Sequence, residues 1–140
     1  MSAKFVTEEK NKAVARRWNE EGFNKHNIEL IDECFHLDYT QRSGTEGPLS
    51  ITLQGLSNAK VEFEKGFRES PTIRVAIEDL FADGDKVALR VTAFSEGKPM
   101  ANGNIIYRFV DGKIMDDWFC WTARDRSDDA IGFAAGFSNG

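Results

Sequence analysis

At 140 residues, 41% of them apolar, the chain can bury one core without metal or disulfide staples and is short enough to form a single domain, residues 1–140. A net charge of -5 with no basic cluster excludes a nucleic-acid partner, and no apolar run approaches the ~20 residues of a membrane span. With no apolar signal region in MSAKFVTEEKNK, the sequence predicts a soluble, cytoplasmic protein.

Thr7, followed by Glu8 and Glu9, is placed to cap a first helix in which Val14, Trp18 and Gly22-Phe23 recur at helical spacing. Asn27 caps a second, short helix with Ile28, Ile31 and Phe35 on one side, ending near His36. Asp38 to Arg42 extends as a short strand, and SGTEGPLSITLQG (43–55) reads as a loop. Ser57 caps a third helix along which Leu56, Ala59, Phe63 and Phe67 follow the 3–4 spacing, stopped by Ser70-Pro71.

Beyond residue 70 the pattern changes to β. Asp83-Gly84 and Asp111-Gly112 each join apolar, β-branched or aromatic runs, the strongest local signal for a hairpin. Val87, Leu89, Val91 and Ala93 form one wholly apolar strand face. In the last strand, alternation puts Ile114, Asp116, Trp118, Cys120 and Thr122 on one face and Met115, Asp117, Phe119 and Trp121 on the other. Both faces therefore read as covered, one by the helices and the other by a second copy of the chain, which predicts a homodimer built on Met115, Phe119 and Trp121. The tail 128–140 carries Ile131, Phe133 and Phe137 among glycines, and either packs over a pocket mouth or a dimer partner or frays. Cys34 and Cys120 read as two small buried thiols. His26 reads as an exposed turn residue and His36 as a helix cap. No metal-ligand spacing, phosphate loop or nucleophile elbow occurs, so no cofactor is implied.

Three segments, NKAVARRWNEEGFNKHNIELIDECFHLDYTQ (11–41), IEDLFADGDKVALRVTA (77–93) and YRFVDGKIMDDW (107–118), resemble the SnoaL-like polyketide cyclases of the nuclear-transport-factor-2-like superfamily. The resemblance implies an α+β fold: a cone-shaped barrel of about three N-terminal helices on a strongly curved, mixed, mainly antiparallel sheet. It also implies an apolar pocket inside the cone, and a homodimer on the outer sheet face. That fold hosts cyclases, isomerases, dehydratases, epoxide hydrolases and non-catalytic binders, so function must be argued from the site.

Position by position, the chain departs from active relatives. The DYTQR segment, with Thr40, puts Arg42 where relatives carry a His, and Thr122 stands where cyclases carry an acid/base Asp. Where the epoxide-hydrolase pattern has Arg, Asp and Asp, this chain has Arg90, Thr92 and Cys120. Asp116 is the candidate base for abstracting a proton α to a carbonyl, with Arg90 or Arg42 stabilising the enolate. Asp116 and Arg90 are expected on neighbouring strands within one cavity; the structural alternative pairs Arg90 with Asp116 or Glu62 to order the core. Trp18, Phe63, Phe67 and Trp118 are expected as aromatic pocket walls or as core, with Thr40, Thr92, Cys120 and Thr122 beside them. Two functions stay open: a cofactor-independent cyclase or isomerase acting on a small hydrophobic, polyketide-like carbonyl compound, and a non-catalytic small-molecule-binding or dimerisation module.

Overall fold

The computed structural model describes residues 2–43 and 51–123, so the tail 128–140 lies outside the described residues. Helix α1 spans Ala3–Arg17 and is capped by Ser2, whose hydroxyl accepts from the Phe5 amide at 3.1 Å; the start falls five residues before the one predicted at Thr7. The chain then widens into a π-helical turn, Trp18–Phe23, before a short helix α2, Leu30–Cys34. Strand β1 runs Phe35–Ser43 and β2 Ile51–Gln54, the latter within a stretch predicted to be loop. Helix α3, Leu56–Glu69, stops at Ser70 as the Ser-Pro signal requires.

Four long strands follow: β3 (Arg74–Asp83), β4 (Lys86–Ser95), β5 (Lys98–Val110) and β6 (Lys113–Ala123). Both predicted hairpins are present, the first shifted by one residue: Asp83 still pairs with Lys86 in the ladder, and Gly84 and Asp85 form the loop. A third, at Glu96-Gly97, has both residues at positive φ (52° and 77°), as has Asp111-Gly112 (52° and 75°), the requirement of a tight two-residue hairpin. The six strands lie in the order β2-β1-β6-β5-β4-β3, antiparallel throughout except for the β1–β6 pair. This is the expected α+β class with a mixed, mainly antiparallel sheet, and the sheet is open, with β2 and β3 at its edges.

The helices cover one face of the sheet. Ala15, Trp18, Phe23, Ile31 and Phe35 are buried in one cluster with Val87, Leu89, Val91 and Ala93, the apolar stripe of β4, and with Ile105, Tyr107, Ile114 and Phe119. Glu8 ties α1 to the far hairpin by accepting the Gly84 amide at 2.7 Å. Among the described residues, no helix is long and apolar enough to cross a membrane.

One irregularity decides which side chains face the helices. In β6, Ile114 pairs with Phe109 while Asp116 pairs with Arg108, so Met115 is an extra residue bulged out of the ladder. A bulge resets the alternation, so beyond it Asp117, Phe119 and Trp121 turn inward, while Asp116, Trp118, Cys120 and Thr122 turn outward. This reverses the predicted faces. Phe119, expected at a dimer interface, is 3% exposed within the chain's own core.

Candidate functional site

On the inner face, three adjacent strands place Tyr39 (β1), Asp117 (β6) and Tyr107 (β5) side by side, with Asp117 directly opposite Tyr107 in the ladder. The Tyr39 hydroxyl donates to Asp117 Oδ2 at 2.7 Å. Asp117 is 7% exposed, and its other oxygen, Oδ1, has no hydrogen-bond partner among the described residues. A buried carboxylate with half its acceptors unmet is expensive to ionise, and burial pushes its pKa up from 3.8 to about 7. The Tyr39 hydroxyl and the nearby Gln41 side chain favour the charge, but less strongly than burial opposes it. The Gln41 amide is fixed by the Thr52 hydroxyl, which donates to Gln41 Oε1 at 3.3 Å. Tyr39 is itself fully buried beside that carboxylate, which holds its phenol well above the usual range and keeps it a proton donor.

The π turn supplies the next layer. Asn19, buried, donates through Nδ2 to the Ala15 carbonyl at 2.8 Å and to the Tyr107 hydroxyl at 3.2 Å. Burial and the neighbouring Asp117 push the Tyr107 phenol up as well. Trp18 meets Phe35 edge-on at 4.9 Å and Phe63 at 5.1 Å, and Phe35 meets Tyr39 at 4.7 Å, so aromatic rings lead from the half-buried Phe63 to the Tyr39–Asp117 pair. The arrangement offers an acid/base group near neutrality, a fixed phenol donor and an apolar wall, which together suit proton transfer on a hydrophobic molecule.

The sequence-predicted residues divide between the two faces. Trp18, Phe63 and Phe67 do come together on the inner side, Phe63 and Phe67 at 6.2 Å. Trp118 does not join them. Asp116 sits on the outer face, its Oδ1 held by Arg42 at 3.3 Å and its Oδ2 by Arg108 Nε at 2.6 Å, with the Arg42 guanidinium 5.8 Å from the Trp118 ring centre. A carboxylate clamped by two guanidiniums has no oxygen free to act as a base, so Asp116 is a structural ion-pair centre and Arg42 its partner.

Arg90 departs furthest from expectation. It lies two strands from Asp116, with β5 between them, and pairs with Asp79 at 2.7 Å; its side chain is 57% exposed. It is therefore not on a strand neighbouring Asp116, and its ion-pair partner is neither Asp116 nor Glu62. Thr92 is also outward, donating to Glu78 Oε1 at 2.8 Å, while Thr40 donates to the Asp38 carbonyl at 3.2 Å and Thr122 is exposed. Cys120 is half-exposed rather than buried; together with Arg90, Trp118, Phe81, Ile106 and Asn104 it lines an outer groove of about 420 Å³. His26 stacks on Phe67 at 4.2 Å in its turn, and His36 Nδ1 accepts the Asp38 amide at 3.1 Å at the start of β1.

Strict alternation misses Asp117, Tyr39, Tyr107, Asn19 and Gln41. The one available signal is a phase conflict: Ile114 and Phe119, five apart, are both strongly apolar, and a single strand face holds both only if a residue between them is bulged.

A family profile described as a SnoaL-like domain matches residues 15–116. Several solved structures share the fold. A candidate SnoaL-like polyketide cyclase from Jannaschia sp. CCS1 superposes with a TM-score of 0.71 at 14% identity, covering 100% of this chain and 97% of that one. A candidate polyketide cyclase from Acidithiobacillus ferrooxidans gives 0.69 at 22% identity, covering 90% and 92%. A candidate ketosteroid isomerase from Kribbella flavida DSM 17836 gives 0.68 at 17% identity, covering 86% and 83%. A search of curated proteins finds no match. At such identities the solved structures speak for the fold alone, whereas the profile spans well over half of the chain: the protein belongs to the SnoaL-like domain family.

Proposed function

We propose that the chain is a cofactor-independent enzyme of the cyclase or isomerase type, acting on a small hydrophobic carbonyl compound at the inner face of the sheet. The observation that carries this reading is Asp117, a buried carboxyl poised near neutrality and hydrogen-bonded to a phenol that stays protonated. In its ionised form Asp117 takes a proton from the carbon next to the carbonyl. The electron pair moves onto the carbonyl oxygen as an enolate. In an isomerisation the proton returns to another carbon of the conjugated skeleton; in a ring closure the enolate carbon attacks a second carbonyl, whose alkoxide oxygen takes the proton. Tyr39, already directed at the carboxylate, holds it in position. The half-buried Phe63 and Trp121 give the ligand an apolar approach. Names of polyketide cyclases and a ketosteroid isomerase among proteins of the same fold support the reaction class.

The test is deuterium incorporation next to the carbonyl of flat hydrophobic ketones such as 2-tetralone, followed by NMR. The wild type is expected to catalyse exchange at a rate that rises with pH through about 7. Asp117→Asn is expected to lower that rate by roughly 10²–10⁴-fold, the usual worth of a positioned general base. Saturable ketone binding without exchange would support the non-catalytic binding module instead.

A further inference from the structure

Among the described residues, the Tyr107 hydroxyl proton and Asp117 Oδ1 make no hydrogen bond of good geometry, although the Gln41 side chain stands near the carboxylate. The Tyr107 oxygen accepts from Asn19 Nδ2 at 3.2 Å, and Asn19 cannot turn away, because the same nitrogen is bonded to the Ala15 carbonyl at 2.8 Å. With that side of the oxygen occupied, the phenolic proton points away from Asn19, and no acceptor among the described residues takes it. Directly across the β5–β6 ladder stands Asp117, whose Oδ1 lacks a partner. The two orphans are neighbours of opposite kind, a donor and an acceptor, yet do not satisfy each other. Buried polar groups are rarely left so, unless a bound group completes them.

We infer that Tyr107, held in position by Asn19, is a specificity-determining contact that, with Asp117 Oδ1, selects ligands carrying a hydroxyl or enol oxygen. One such oxygen accepts from the Tyr107 hydroxyl and donates its own proton to one lone pair of the ionised Asp117 Oδ1, leaving the second lone pair of that oxygen for the proton transfer. A ring ether accepts but cannot donate, and a plain hydrocarbon does neither. The inference rests on the reading of Asp117 as a working carboxylate and adds to it the polar group of the substrate. A site built to hydrogen-bond a ligand hydroxyl discriminates strongly against analogues that lack it, because its own buried groups are then left unpaired.

The test uses three flat probes by titration calorimetry: 2-naphthol, 2-methoxynaphthalene and naphthalene. In the wild type at pH 8, 2-naphthol is expected to bind about 10-fold tighter than naphthalene, the worth of one good buried hydrogen bond. Tyr107→Phe is expected to reduce that ratio to below about 3. In the wild type alone, the preference for 2-naphthol over its methyl ether should grow several-fold from pH 5.5 to pH 8, as Asp117 becomes an acceptor. An unchanged ratio in folded Tyr107→Phe overturns the inference, as does a failure of all three probes to bind saturably. If Tyr107→Phe does not fold, the pH arm decides. A flat pH arm with Asp117 titrating near 7 by NMR overturns this inference and leaves the base in place; an Asp117 that does not titrate near neutrality removes both.

Discussion

Asp117 carries a consequence for stability as well as for chemistry. Its pKa in the folded chain, about 7, lies above the 3.8 of an exposed carboxyl, so the fold binds this proton more tightly than the unfolded chain does. The stabilisation is fully present below pH 4 and is lost as the pH rises through about 7, a change of about 4 kcal/mol for this one group. Asp117→Asn removes the titration, so the mutant is expected to melt no lower than wild type at pH 8 and to lack this decline between pH 4 and 7. Melting curves at several pH values check it. Tyr39→Phe removes the donor that favours the charged form, and Asp117 is then expected to titrate higher than in wild type, with about 1–3 kcal/mol of stability lost. Substitution at Asp116 has a different effect, through its ion pairs. Asp116→Asn leaves Arg42 and Arg108 without their shared partner, and because their side chains are 22% and 34% exposed, water softens the penalty to about 1–3 kcal/mol. The ketone exchange rate is expected to survive that substitution; its loss would return Asp116 to the candidate bases.

Among the elements, the π turn between α1 and α2 is the device that aims Trp18 and Asn19 inward. Its fifth residue is Gly22, where an added Cβ would collide with the Trp18 indole. Gly→Ala in a helix ordinarily gains ~0.5–1 kcal/mol. Here overpacking dominates, and Gly22→Ala is expected to destabilise by about 1–3 kcal/mol in denaturant titration. At Gly103 an added Cβ would stand 2.7 Å from the Trp121 ring, so the glycine leaves room for that ring to approach β5 closely. The hairpin turns, the apolar stripe of β4 and the stop at Ser70-Pro71 were legible because each rests on neighbouring residues. The π turn and the Met115 bulge were not, since each is an insertion of one residue into a regular ladder whose register is set by packing from distant segments. That single bulge exchanges the faces that Asp116 and Asp117 take, and with them their roles. The start of α1 was misread for a related reason: Thr7 has good capping chemistry, but Ser2 has it too, and the longer helix can reach the β3–β4 turn through Glu8.

For the molecule as a whole, one sheet divides two environments. The inner face holds the core and the proposed chemistry, whereas the outer face carries the Arg42–Asp116–Arg108 cluster and a groove where Phe81 and Ile106 are 63% and 44% exposed. The proposal of a homodimer moves with the faces: a second copy would cover Phe81, Ile106 and Trp118, while Phe119 belongs to the core. Ile106→Glu is expected to shift sedimentation toward monomer with the fold intact, and Phe119→Glu to unfold the chain. A wild type that sediments as a monomer at micromolar concentration would remove the dimer without touching the inner site. The central claim is that the inner face keeps one carboxyl exchangeable near neutral pH, and carbon-13 NMR titration of the Asp117 carboxyl, assigned by comparison with Asp117→Asn, tests it most directly. The account predicts a midpoint near 7. A midpoint in the ordinary range, near 4, would show a solvated or fully paired carboxylate and contradict it.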